Sequence, residues 1–174
     1  MIDLETGRFI LREGVEIYPG MKRDDFINSK LFEDAFFKDG KVDTNKIFYD
    51  FKTQDIDGFK MELTIHFSPQ NYIDRIELTH PDFYKWPDWP KDISEKDYAY
   101  SLKKYNDQFL MKQIEGSIRE GNEIWLDYDW GSITSSISFY YNPTVMITIR
   151  YNLVPILEAN GEIDFSNINI DDLF

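Results

Sequence analysis

Three segments in the second half of the chain alternate apolar and polar residues with the period of two that is typical of β-strands. Successive side chains on a strand point to opposite faces, so each segment has one apolar side and one polar side. The apolar sides of the three segments match, which predicts an antiparallel sheet with one buried and one solvated face. The segments are 123–130 (EIWLDYDW), 132–141 (SITSSISFYY) and 144–151 (TVMITIRY).

Three similar segments occur in the first half of the chain. They are 46–52 (KIFYDFK), 60–67 (KMELTIHF) and 72–78 (YIDRIEL). The turn-forming sequences DIDG and SPQN separate them at the distances expected of hairpins. Residues 5–18 predict an opening hairpin around a glycine, and residues 155–165 predict a closing hairpin around Asn160-Gly161.

Two segments carry apolar residues at helical spacing and predict helices at about 23–37 and about 95–115. Ser94 is the predicted N-cap of the second helix, with Asp97 reaching back to it as in a capping box. The resulting order of elements predicts a single α+β domain over residues 1–174. We expect an antiparallel sheet of six or more strands, with two helices packed on one face.

The two halves of the chain share an order of elements. Residues 23–80 and 94–152 each consist of a predicted helix followed by three strands, which indicates a pseudo-repeat. An internal duplication would produce it, and so would two units of common antiparallel design that are alike by chance. Residues 166–174 are predicted to form an acidic tail.

The charge of the chain narrows the kind of partner that it can attract. The sequence has a formal net charge of −13 and a pI of about 4.5. Such a field repels nucleic acid and anionic membrane and steers basic proteins toward the surface. The absence of cysteine excludes disulfides and thiolate metal sites. With no signal-type N-terminus and no segment of ~18 apolar residues, we expect a cytoplasmic protein.

The sequence IWLDYDWG, residues 124–131, places two carboxylates on the predicted solvated face. Asp127 and Asp129 could form a glycosidase pair, which needs a cleft, or a metal-binding DxD site, which needs further oxygen ligands. Partner recognition is the better functional interpretation, with Trp125 and Tyr140 as aromatic anchors beside the two acids. A solvated face without a specific role is the commonest alternative.

A proline-rich loop provides a second candidate surface. Trp86, Asp88 and Trp89 lie in KWPDWPKD, where the prolines lower the entropy cost of binding. The same tryptophans could instead cover the core where the chain crosses to the second helix. A pocket near the loop 83–92, used by a small-ligand-binding protein or a hydrolase, is the alternative function. His66 and His80 lack the spacing of a zinc pair, and we predict no catalytic residue, metal site or cofactor.

The chain as a whole resembles the small acidic immunity proteins of bacterial polymorphic and contact-dependent toxin systems. The features that carry this resemblance are the charge, the polar sheet face with WLDYD, and the opening sequence GRFILREGVEIYPGMKRDDFINSKL. The resemblance implies an α+β, non-enzymatic protein that binds a basic toxin domain, often a nuclease, and occludes it. It identifies no individual binding residue.

Overall fold

The computed structural model describes residues 1–34, 47–83, 92–114, 123–140 and 143–162. Strands account for most of its regular structure. In chain order the elements are β1 (Phe9–Arg12), β2 (Val15–Ile17), α1 (Arg23–Ile27), β3 (Phe48–Ile56), β4 (Phe59–Phe67), β5 (Ile73–Thr79), α2 (Glu95–Gln113), β6 (Glu123–Tyr128), β7 (Gly131–Ser138), β8 (Thr144–Tyr151) and α3 (Val154–Ala159). No helix among the described residues is long and apolar enough to cross a membrane.

Strands β3 to β8 form one six-stranded sheet in the order β3-β4-β5-β8-β7-β6, and every neighbouring pair is antiparallel. The predicted α+β class and antiparallel sheet are confirmed. Each half of the chain contributes a three-stranded meander, and the meanders join through their last strands, β5 and β8. This arrangement is compatible with the proposed pseudo-repeat, whose origin by duplication stays a prediction.

The buried face of the sheet is built from rows of apolar residues that cross all six strands. One row runs through Tyr49, Ile65, Ile76, Ile149, Ile133 and Leu126, each opposite the next in register. The four isoleucines are completely buried. Such cross-strand contacts between β-branched side chains stabilise the pairing and fix its register, because a one-residue slip would expose the whole row.

Two helices cover this buried face, as predicted, and the β1–β2 hairpin covers it as well. Helix α2 lies against β7 and β8, where its Phe109 and Leu110 are buried. Phe26 of α1 packs edge-on against the rings of Phe51 and Phe67, at centroid distances of 5.8 and 5.3 Å. The hairpin buries four apolar residues in the same core: Phe9, Leu11, Val15 and Ile17.

A buried ion pair lies between α2 and the sheet. Lys103 Nζ donates to both carboxylate oxygens of Asp107, at 2.6 and 2.7 Å, and both side chains are almost fully buried. Ser135 of β7 donates its hydroxyl to Asp107 Oδ1 at 2.8 Å. The ion pair itself lies within α2, and the Ser135 hydroxyl bonds it to the sheet, so this hydrogen bond favours one position of α2 over β7.

The predicted second helix is confirmed, and its beginning is capped. Ser94 Oγ accepts from the backbone N–H of Asp97 at 3.1 Å. The first helix is shorter than predicted, since α1 ends at Ile27 and is followed by a 3-10 turn at Phe32–Asp34. Asn28 and Ser29 explain the early end, because their side chains donate to backbone carbonyls of α1 and compete with continued helix.

The predicted closing hairpin is wrong. Its first half is helix α3, with Pro155 in the first turn, a position where the missing N–H of proline costs nothing. Asn160 and Gly161 end this helix instead of forming a hairpin turn. Gly161 has a φ of +69°, and Glu162 donates its N–H to the carbonyl of Leu157, as at many helix C-termini.

The end of the β6–β7 hairpin depends on a close contact between Trp130 and Gly7. Trp130 stacks on Tyr128 with a centroid distance of 5.0 Å and donates Nε1–H to the carbonyl of Leu4 at 2.8 Å. A Cβ on Gly7 would lie 2.5 Å from Cδ2 of the indole ring, so only glycine fits at this position. The N-terminal segment is therefore attached to the sheet through a backbone-to-ring contact.

The variants Gly7→Ala and Gly58→Ala distinguish two causes of lost stability, the clash with Trp130 and the strain of a positive φ. Both glycines have positive φ, +72° and +84°, but a Cβ on Gly58 would meet nothing within 4 Å. We expect Gly58→Ala to lower the free energy of unfolding by ~1–2 kcal/mol. Gly7→Ala should cost a further ~1–3 kcal/mol because the ring must move. Urea unfolding of both variants measures the difference, and equal losses would contradict the contact.

Candidate protein-binding face

The face of the sheet opposite the core is polar, and we call it the open face. Two cross-strand rows define it: Phe48, His66, Arg75, Arg150, Ser132 and Asp127 form one, and Asp50, Thr64, Glu77, Thr148, Thr134 and Trp125 form the other. The side chains in these rows are half-buried or exposed. Helices α1 and α2 and the β1–β2 hairpin all pack on the other side. The solvated face predicted from the alternation is therefore the open face.

Trp125 is the largest exposed side chain at the β6 edge of the open face. Its side chain is 60% exposed, and its Nε1–H donates to Asp127 Oδ1 at 2.7 Å. Both residues lie on β6, two positions apart and therefore on the same face. The bond restrains the indole before any partner arrives, which lowers the entropy lost on binding.

A polar network lies near the middle of the open face. Glu77 Oε2 is 3.1 Å from His66 Nε2, and Glu77 Oε1 is 3.3 Å from Arg75 Nε. Arg75 Nη2 is 3.0 Å from His66 Nδ1. A guanidinium can only donate, so Nδ1 accepts, and the neutral imidazole then carries its proton on Nε2, toward Glu77. These contacts link one side chain of β4 with two side chains of β5.

The pKa of Glu77 is held below its ordinary value by this network. The hydrogen-bonding contact with His66 is the largest cause, and the positive charges of Arg75 and Arg150 add to it, while partial burial opposes them.

Arg150 lies directly opposite Arg75 in the β5–β8 register and is exposed. Within the described part of the chain, Arg150 forms no ion pair, so its guanidinium can donate hydrogen bonds to a carboxylate of a partner molecule.

The structure brings together only part of the predicted binding set. Trp125 and Asp127 are neighbours, whereas Asp129 is exposed in the turn after β6. Tyr140 is 82% exposed but follows the end of β7, six residues beyond the position that faces Trp125, or about 20 Å along a strand. Trp86, Asp88 and Trp89 lie outside the described residues.

Phe139, which the alternation of the predicted strand 132–141 puts on its apolar side, is exposed because β7 ends at Ser138. The metal hypothesis for Asp127 and Asp129 is not supported by the neighbouring strands. The further carboxylates that it needed are Glu62 or Glu77, which lie on β4 and β5, four and three strands from β6 and therefore about 14 Å away or more. No group of three or more metal-ligating side chains occurs among the residues that the structure describes.

Sequence reasoning did not find the network around Glu77. The alternation predicts a solvated position for each of His66, Arg75, Glu77 and Arg150, but nothing in it says that β5 pairs with β8. That pairing sets the two arginines side by side. The signal that could have found it is the pseudo-repeat, since two like meanders often join through equivalent strands.

The structure also contains a cleft at the opposite edge of the sheet. It has a volume of about 580 Å³ and is lined by residues from β3 and β4, by the turn after β5, and by α2. This turn leads into residues 83–92, near which the alternative function placed a pocket. The cleft is separate from the open face around Trp125.

Comparison of the chain with family models, with curated proteins and with solved structures gives no match. The open face and the cleft are therefore interpreted from their own chemistry.

The network predicts a specific dependence of stability on pH. A carboxyl group whose pKa is lowered by folding stabilises the protein above its unfolded pKa, and this contribution is lost as the pH falls through the folded pKa. Glu77 has an ordinary value of 4.5. We expect Glu77→Gln to be less stable than the wild type at about pH 6, and the difference to shrink toward about pH 3. Denaturant unfolding across this range measures it. A difference that does not change with pH would contradict the account.

Proposed function

We propose that this protein is a non-enzymatic binding protein that recognises a protein partner through the β6 side of the open face. The observation that carries the proposal is Trp125, a largely exposed indole that is held in place by Asp127. Exposed, restrained aromatic residues are the typical anchors of protein interfaces, because they bury a large area at a small entropy cost. A solvated sheet face without a role requires no such residue.

The charge supports a basic partner. The chain has a formal net charge of −13, and Glu123 and Asp127 place two exposed carboxylates around Trp125 on β6. An acidic surface accelerates association with a basic protein and disfavours nucleic acid and anionic membranes. The exposed Arg150 adds one position of opposite sign, which a partner carboxylate would match. This pattern favours a partner whose surface is mainly basic.

The resemblance to bacterial immunity proteins adds a kind of partner and an effect of binding to the proposal. We infer that the partner is a basic toxin domain and that binding neutralises it by occlusion, in the cytoplasm of the producing cell. The resemblance rests on the type of protein and not on matching residues. The binding surface is therefore assigned from Trp125 and Asp127 alone, and Asp129 is a secondary member at the adjacent turn.

A hydrolase on this face is the weaker interpretation. General acid catalysis requires a carboxyl group whose pKa is raised in a water-poor cleft. Asp127 is exposed and already accepts a hydrogen bond from Trp125, and Asp129 lies in an exposed turn. Neither carboxylate has the surroundings that glycoside hydrolysis needs.

The test first looks for a basic toxin domain encoded beside this protein and then uses it as the candidate partner; the absence of such a gene would count against the proposal. We expect Trp125→Ala to weaken binding by ~2 kcal/mol or more, about thirty-fold in Kd. The double variant Asp127→Asn with Asp129→Asn should weaken it by a similar amount. The free energy of unfolding should change by less than ~1 kcal/mol in each, because the positions are exposed. Calorimetry and urea unfolding measure the two effects.

Tyr100→Ala is the matched control, since Tyr100 is an exposed aromatic residue on α2, on the other side of the sheet. Its substitution should leave binding unchanged. Equal losses in Tyr100→Ala and Trp125→Ala would move the interface away from the open face. If Trp125→Ala binds the toxin domain as tightly as the wild type, the proposal is wrong.

A further inference from the structure

The cleft at the β3–β4 edge has the volume of a small-molecule site and a lining of charged, polar and aromatic residues. Its volume of about 580 Å³ lies within the range usual for ligand pockets. Its lining includes Thr53, Asp55 and Lys60 from the β3–β4 hairpin, His80 and Asp82 after β5, and Tyr105 of α2. Three separate parts of the fold therefore meet around one space.

The wall of the cleft is fixed by hydrogen bonds and by a ring contact. The rings of His80 and Tyr105 lie at right angles, with centroids 4.5 Å apart. The Tyr105 hydroxyl accepts from the backbone N–H of Lys60 at 2.8 Å, which attaches α2 to β4. His80 Nδ1 accepts from the backbone N–H of Asp82 at 3.0 Å. A ligand would thus meet a largely preformed aromatic wall.

Asp55 and Lys60 place charges of both signs at the rim, and these two charges do not pair with each other. Asp55 and Lys60 are directly opposite in the β3–β4 register, yet no ion pair joins them among the described contacts. Asp55 instead accepts the N–H of Gly58 through Oδ1 at 2.9 Å, which leaves Oδ2 for a ligand. Lys60 is exposed and has no ionic partner within the described ranges.

This arrangement restricts the chemistry of the ligand. A simple anion would be repelled by Asp55, by Asp82 and by the net charge of −13. A simple cation would pair with Asp55 but would leave the ammonium group of Lys60 without a partner. A ligand that carries one ammonium and one carboxylate group satisfies both signs, and an apolar portion between them can lie against Tyr105 and Pro81.

We propose that the cleft binds a small zwitterion of the amino-acid or short-peptide class. Its ammonium group pairs with Asp55, and its carboxylate pairs with Lys60. This site is independent of the open face, since the cleft is at the β3 side of the sheet and Trp125 is on β6 at the other edge. A protein that neutralises a partner through one edge would then carry a ligand site at the other.

The experiment titrates the full-length ¹⁵N-labelled protein with the tripeptide Gly-Leu-Gly and with its N-acetylated and C-amidated forms. We expect saturable shifts of the backbone amides at Thr53, Lys60 and Asp82 with the free tripeptide. Each blocked form should bind about three- to five-fold more weakly, because one rim charge loses its partner. Equal binding of the three forms would overturn the zwitterion assignment, and the absence of saturable shifts would overturn the site.

Two variants test which rim residue pairs with which charged end of the tripeptide. Asp55→Asn keeps the oxygen that accepts from Gly58 and removes the charge, so it should bind the free tripeptide as weakly as the wild type binds the N-acetylated form. Lys60→Met should do the same with respect to the C-amidated form. Lys96→Met, at an exposed position in the first turn of α2, is the control and should bind like the wild type. A variant that still discriminates against its own blocked form would contradict the pairing.

Discussion

The fold depends on the burial of one face of a six-stranded sheet. The side chains of a strand alternate, so the same strands that bury Ile65, Ile76 and Ile149 must present His66, Arg75 and Arg150 on the other side. The inner residues are completely buried, which removes any freedom of register. The positions of the polar residues on the open face are therefore a consequence of the core, and they are held rigidly by it.

Polar groups also specify how the covering elements sit on the core. The ion pair between Lys103 and Asp107, together with Ser135, places a polar contact inside an apolar interface. Replacing the ion pair by apolar residues need not destabilise the protein, but a sliding α2 would break the buried hydrogen bond between Ser135 and Asp107. The same helix carries Tyr105, whose hydroxyl accepts from the backbone N–H of Lys60, so the position of α2 also sets the wall of the cleft.

Local patterns predicted most of the fold. The six strand segments, helix α2 and its Ser94 cap follow from alternation and capping chemistry that act within a few residues. Gly161 was misread because a left-handed glycine serves both a hairpin turn and a helix end, and only packing decides between them. The faces of Trp125 and Asp127 were predicted, since alternation sets them. The separation of Tyr140 from Trp125, and the pairing of Arg75 with Arg150, depend on strand ends and strand order, which no local pattern contains.

The central claim is that the open face, and not the helical side, meets the partner. Hydroxyl-radical footprinting of the protein, free and bound to its partner, tests it most directly. Trp125 and Met146 are on the open face, while Tyr100 and Met111 are exposed on α2. The account predicts that binding protects Trp125 and Met146 from oxidation and leaves the two α2 residues unchanged. Protection of Tyr100 and Met111, with Trp125 still reactive in the complex, would contradict it.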